Sequence, residues 1–92
     1  MFTIPKTNVI TSSDGFSVEV LGQTGMKYSE EGRSLLFYSE VFAPDAIAIW
    51  PKTIQKWDPP FEHVPIDAEE RKRIVNNIER AFEFKGARIK RC

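Results

Sequence analysis

His63 is the only histidine in the 92-residue chain, and Glu62 stands beside it. An imidazole next to a carboxylate has the composition of a general base with its orienting group, and an unperturbed pKa of about 6.5 suits proton transfer at neutral pH. Such a base needs a nucleophile or a polarised substrate within reach, and none lies nearby in sequence. The expectation is an exposed loop histidine. Ser12, Ser13, Ser29, Ser34 and Ser39 sit in turn or strand contexts without the Gly-x-Ser-x-Gly pattern of a nucleophile elbow, so they are expected as turn formers and strand-surface residues. Paired carboxylates occur at Glu30-Glu31 and Glu69-Glu70. The first pair precedes a turn glycine, and the second falls where a helix start favours negative charge. Gly22 and Gly25 lack the lysine-serine or the third glycine of a phosphate loop. Cys92 is the only cysteine, which leaves no internal disulfide and no cysteine-zinc cluster. These residues predict no catalytic, cofactor or metal site: the chain is expected not to be an enzyme.

The elements that would position a site follow from turn residues and periodicity. Turn signals recur at Asp14-Gly15, Gly22 to Gly25, Glu31-Gly32, Pro44-Asp45 and Pro51-Lys52, with short β-type runs between them, which describes a meander. Phe16, Val18 and Val20 alternate with Ser17 and Glu19, as in a strand with one buried and one wet face. Met26 and Tyr28 repeat that pattern. Leu35 to Tyr38 is continuously apolar, which fits a strand covered on both faces or at the sheet centre. Ile47 and Ile49 are expected to point one way and Ala48 and Trp50 the other, with Pro51 ending the ladder and a further short strand over 54–57. From Asp67 the period becomes 3.6: Ile74, Val75, Ile78, Ala81 and Phe82 form one helical stripe. Asp67 is placed as N-cap with Glu70 closing a capping box, Glu69 and Arg73 form an i,i+4 pair, and Gly86 ends the helix. A charged closing strand follows, added at an edge.

The predicted architecture is α+β, with a curved antiparallel β-meander packed by one long C-terminal helix and followed by a final short strand. Residues 1–92 form a single domain: strands over about 8–57, a Pro-rich loop over 58–66, a helix over about 67–85 and a strand over about 87–91. A chain of this length buries only about 60% of its extended surface, so it has one core. The composition, 41% hydrophobic and 28% charged, is that of a globular protein. No apolar run approaches the roughly 18 residues of a membrane span and no signal pattern opens the chain, so a cytoplasmic protein without membrane contact is expected.

Net charge is zero, but its distribution is lopsided. Residues 1–70 carry five basic and eleven acidic side chains, and residues 71–92 carry eight basic and two acidic ones. The favoured expectation is neutralisation of the basic segment by its neighbours in space; the other is a bipolar surface that steers a partner. Nucleic-acid binding through Arg88, Lys90 and Arg91 is the alternative reading, weakened by an acidic remainder and a pI near 6.6.

The most specialised stretch runs from Ile47 to Pro60 and holds both tryptophans and three of the six prolines. Trp50, on a strand after Ile47 and Ile49, is expected in the core. Trp57, flanked by Lys56 and by Asp58-Pro59-Pro60, has two open readings: a protein-binding anchor on a stiff turn, or a plug that locks the loop against the helix.

A set of motifs carries a family resemblance: Gly25-Met-Lys-Tyr-Ser-Glu-Glu-Gly-Arg, Ser39-Glu-Val, Ile49-Trp50, Lys56-Trp57-Asp58-Pro59-Pro60 and Ala81-Phe-Glu-Phe. From about Gly15 to Lys90 the chain resembles the immunity protein 74 family, and Trp-Asp-Pro-Pro is the most specific block. The resemblance implies a bacterial, cytoplasmic antidote that binds a cognate polymorphic toxin domain, encoded next to it, and blocks it without catalysis or cofactor. An inhibitor of this kind needs roughly 800 Å² of surface with a few buried anchors. Glu30, Glu31, Glu40, Asp45, Asp58 and Glu62 are expected to form an acidic rim around Trp57 that mimics the phosphates of a nuclease substrate. On that expectation, alanine at Trp57 and Asp58 weakens binding and leaves the thermal midpoint nearly unchanged. A structural subunit that forms a homodimer through its edge strands is a third reading.

Overall fold

The computed structural model describes residues Met1–Cys92. Six strands run antiparallel in chain order: β1 (Phe2–Lys6), β2 (Val9–Ser12), β3 (Phe16–Val20), β4 (Thr24–Glu30), β5 (Arg33–Ala43) and β6 (Ala46–Ile49). A single 3-10 turn at Pro51–Thr53 and an irregular loop lead to the helix α1 (Ala68–Lys85), and β7 (Arg88–Arg91) returns parallel to β6. A parallel neighbour needs a long crossover, and the loop and helix supply it. This is the expected α+β architecture: a curved meander, one long helix and a final strand at the sheet edge.

Local chemistry explains the joints. Glu31 and Gly32 form the two-residue turn between β4 and β5, both with positive φ (49° and 77°), the geometry that suits the twist of a tight hairpin. Asp67 caps α1 through its Oδ1, which accepts from the Glu70 amide at 2.8 Å. Gly86 ends the helix at φ 86°, and its amide donates to the carbonyls of Phe82 and Glu83. The Glu70 carboxylate does not complete the expected box. It lies 3.5 Å from Arg73 and 3.7 Å from Arg33 instead, so Arg73 pairs at i,i+3 rather than with Glu69.

Two further expectations change. The meander begins earlier, because Phe2–Lys6 pairs with β2 as an edge strand, the one place where Pro5 removes no needed ladder bond. The strand expected over 54–57 is absent, and only an isolated bridge joins Lys56 to Pro65.

The helix contacts β2, β3 and β7. On a flat sheet β2 and β7 would lie about 24 Å apart, more than twice the diameter of a helix, so the sheet must curl around α1. Irregular registers in β4–β5 and β5–β6 accompany that curl. The inner face supplies Ile10, Phe16, Val18, Met26, Tyr28, Leu35, Phe37, Ile47 and Ile49 to the core, and α1 supplies Ile74, Val75, Ile78, Ala81 and Phe82, the predicted stripe. Ile54, Trp57 and Ile66 complete the core from the loop.

Candidate protein-binding surface

The densest polar cluster joins helix to sheet. Glu30, at the end of β4, is 8% exposed and accepts from both terminal nitrogens of Arg73, at 2.8 and 2.9 Å. The Tyr28 hydroxyl donates to Glu30 Oε1 at 2.7 Å and accepts from Asn77 Nδ2 at 2.9 Å. Burial alone would raise the Glu30 carboxyl, but Arg73, the Tyr28 hydroxyl and nearby Arg33 outweigh it and hold it below the usual carboxylate range. Burial and the adjacent carboxylate drive the Tyr28 hydroxyl well above the usual tyrosine range. Both shifts move away from neutrality, opposite to what an acid/base pair working near pH 7 needs. The cluster is a latch between α1 and β4. His63 lies exposed in its loop. No group of three or more His, Cys, Asp or Glu side chains is arranged to hold a metal ion.

The structure decides between the two readings of Trp57 and overturns that of Trp50. Trp57 is fully buried; its ring packs on Tyr28 with centroids 6.4 Å apart and carries the Arg33 guanidinium 4.4 Å from its centre. The surrounding backbone explains the burial. Arg71 Nε on the helix donates to the Ile54 carbonyl at 2.9 Å, and the Asp58 amide donates to the Ser34 carbonyl on β5 at 2.8 Å. Residues 55–57 are therefore pinned between helix and sheet, and the indole has only the interior to enter. Trp57 is the plug, not an exposed anchor. Trp50, placed in the core by the sequence reading, lies partly exposed on the outer face, because Ala48 and Trp50 point opposite to Ile47 and Ile49 and no element of the chain covers that side.

The six carboxylates expected around Trp57 do not form one rim. Glu30 is engaged by Arg73. Glu31 is exposed in the hairpin turn; in the Pro-rich loop Asp58 is partly exposed and Glu62 exposed. Asp45 lies in the turn beyond the opposite end of β5, 3.5 Å from Arg88, and Glu40 stands on the outer face of β5. The lopsided charge resolves largely as internal neutralisation. Arg73 meets Glu30, Arg80 meets Asp14 at 3.1 Å, and Arg88 meets Asp45. Arg91 is bound to Glu79, and Lys85 Nζ donates to the Thr7 carbonyl. Most of the basic segment is thereby engaged, which removes the chief support for a nucleic-acid surface.

The outer face divides into two parts. Thr11, Ser17, Glu19, Lys27 and Ser29 line β2 to β4, the polar exterior expected of a one-sided antiparallel sheet. On β5 the rule fails: Leu36, Tyr38 and Phe42 are 55%, 44% and 53% exposed. Tyr38 packs edge-on against Trp50 with centroids 4.7 Å apart. A shallow hollow of about 270 Å³ lies beside them, lined by Glu40, Phe42, Ala48, Trp50, Lys90 and Cys92.

Residues 17–90 of the chain, from β3 into β7, match the family model of immunity protein 74. The chain belongs to the immunity protein 74 family. The match leaves out β1, β2 and the last two residues. No curated protein and no solved structure matches the chain. The exposed aromatic patch therefore lies almost wholly inside the region the family model covers. Of the seven residues expected to bind a partner, only Glu40 lies in the patch. The sequence reading puts Trp50 in the core, weighs Lys90 only for nucleic acid and does not single out Phe42. It takes Leu35 to Tyr38 as a strand covered on both faces or at the sheet centre, whereas Leu36 and Tyr38 face outward uncovered.

Proposed function

We propose that this chain neutralises a toxin domain by binding it directly and non-covalently in the cytoplasm of the bacterium that makes both, and that the toxin belongs to a polymorphic toxin system and is encoded beside it. Membership in the immunity protein 74 family over residues 17–90 carries the reading. The ionisable groups agree with an inhibitor: the strongest cluster, Tyr28, Glu30 and Arg73, is locked by mutual hydrogen bonds and tuned away from proton transfer. No helix is long and apolar enough to cross a membrane. The chain itself does no chemistry in this account, and its effect is to occlude the toxin.

Growth of cells expressing the polypeptide encoded immediately upstream, with and without this chain, tests the reading, followed by co-purification of the pair. The expected result is toxicity relieved by co-expression, with both chains eluting as one complex. A harmless neighbour, or a toxin that stays active and elutes alone, contradicts it.

A further inference from the structure

We propose that the toxin docks on the outer face of β5 to β7, with Trp50 as the central anchor, and that the toxin surface presents an apolar side chain flanked by one basic and one acidic group. This rests on the toxin-neutralising reading above and names the surface and partner chemistry.

The exposed aromatics of the sheet gather on one part of its outer face, while β2 to β4 present mainly polar side chains there. Leu36, Tyr38 and Phe42 repeat at strand period on β5, and Trp50 extends the same face beyond β6. Clustered exposed aromatics on a small chain mark an interaction site, whereas apolar residues scattered singly need no explanation. Tryptophan and tyrosine are also the side chains most enriched among binding hot spots.

The anchor is held in place before any partner arrives. The Trp50 amide donates to the Tyr38 carbonyl at 3.3 Å. The Thr53 hydroxyl donates to the Trp50 carbonyl at 2.7 Å and accepts from the Tyr38 amide at 3.1 Å. Pro51 restricts the backbone of the residue before it, which is Trp50. An indole fixed by its backbone and by the Tyr38 edge loses little freedom on binding, which favours affinity.

The charges select the partner. Glu40 and Lys90 flank the hollow from either side of Ala48, whose registers pair it with both. Neither takes part in an ion pair, while Arg88 on the same face is engaged by Asp45. A complementary surface places a lysine or arginine against Glu40 and a carboxylate against Lys90. The carboxylate beside the aromatics opposes a phosphate backbone, so a protein is favoured over single-stranded nucleic acid. The same mixture of signs disfavours an acidic phosphate mimic.

The test measures the affinity of the purified full-length chain for the upstream-encoded polypeptide by calorimetry, with circular dichroism melts confirming that each variant folds. Trp50→Ala is expected to weaken binding at least about thirtyfold, the hot-spot threshold. Glu40→Lys and Lys90→Glu are each expected to weaken it about tenfold, while Glu31→Lys and Glu62→Lys leave it unchanged. Absence of binding by the unaltered chain overturns the toxin-neutralising reading and this surface with it. Binding that survives Trp50→Ala but falls with Glu31→Lys and Glu62→Lys overturns the surface alone and moves the contact to the hairpin turn and Pro-rich loop that carry those carboxylates. Two further results overturn the assignment: a wild-type dimer in sedimentation that Trp50→Ala dissociates while toxin affinity holds, which gives the face to a second copy, or tight binding of a single-stranded oligonucleotide to it.

Discussion

Replacing each tryptophan in turn separates the structural indole from the one on the surface. Trp57 has no solvent exposure and contacts Tyr28 and Arg33, so Trp57→Ala removes a large side chain from a core that has one cluster. Truncations of that kind cost about 3–5 kcal/mol. In a domain of this size each kcal/mol moves the midpoint by about 4–8 °C, so the expected fall is about 12–40 °C. The whole stability of such a domain is about 5–14 kcal/mol, so the variant sits close to the threshold of folding. Trp50→Ala loses mainly its edge contact with Tyr38, about 0.5–1.5 kcal/mol, and the fold survives. Trp57→Phe keeps a ring in place and removes an indole N–H that is buried without a partner. Its cost is below about 1.5 kcal/mol, because the lost volume is partly offset by the relieved donor. Thermal melts followed by near- and far-ultraviolet circular dichroism read all three. A Trp57→Ala midpoint within a few degrees of the parent, or a larger loss for Trp50→Ala, refutes the assignment of the two side chains.

Four further substitutions probe the latch, the helix cap and the surface charges. Glu30 has a depressed carboxyl in the folded state, so the unfolded chain takes up its proton first as pH falls; the latch stabilises fully above about pH 5 and weakens as pH drops through the folded value. Glu30→Gln flattens the acid limb of stability below about pH 5, measured by urea titrations at each pH. At neutral pH Arg73→Ala, which leaves the buried Glu30 with only the Tyr28 hydroxyl and a longer 3.7 Å contact to Arg33, costs about 1–3 kcal/mol, less than loss of a fully buried partner because Arg73 is half-exposed. Asp67→Ala removes the helix cap and costs about 0.5–2 kcal/mol in chemical denaturation, with the loss recovered largely by Asp67→Asn. Arg88→Ala breaks an ion pair exposed on both sides and changes stability by less than about 1 kcal/mol, with the difference shrinking further in 1 M salt.

The sequence was most informative where one physical cause dominated. The 3.6-residue stripe from Ile74 to Phe82 had only one core to face, and Asp67 and Gly86 have chemistries that suit the two ends of a helix. Hairpin turns were legible for the same reason, since Glu31-Gly32 joins two alternating runs. Less was legible where tertiary position decides. Pro51, Pro59 and Pro60 marked the loop as stiff but not the direction of its indole, which depends on Arg71 and Ser34 holding the backbone from two distant elements. The carboxylates from Glu30 to Glu62 were close enough in sequence to suggest a rim, yet β5 carries Asp45 to the far end of the sheet and Arg73 returns to engage Glu30. The apolar run from Leu35 to Tyr38 suggested a strand covered on both faces or at the sheet centre; β5 does lie inside the sheet, but the one helix covers only its inner face and Leu36 and Tyr38 stay exposed on the other.

The most direct test of the account follows the two indole N–H resonances of the isotope-labelled chain while the upstream-encoded polypeptide is added. The Trp50 signal is expected to shift or broaden with saturation at one equivalent, while the buried Trp57 signal stays in place. Complex formation that leaves Trp50 unmoved, or that perturbs only Trp57, contradicts it.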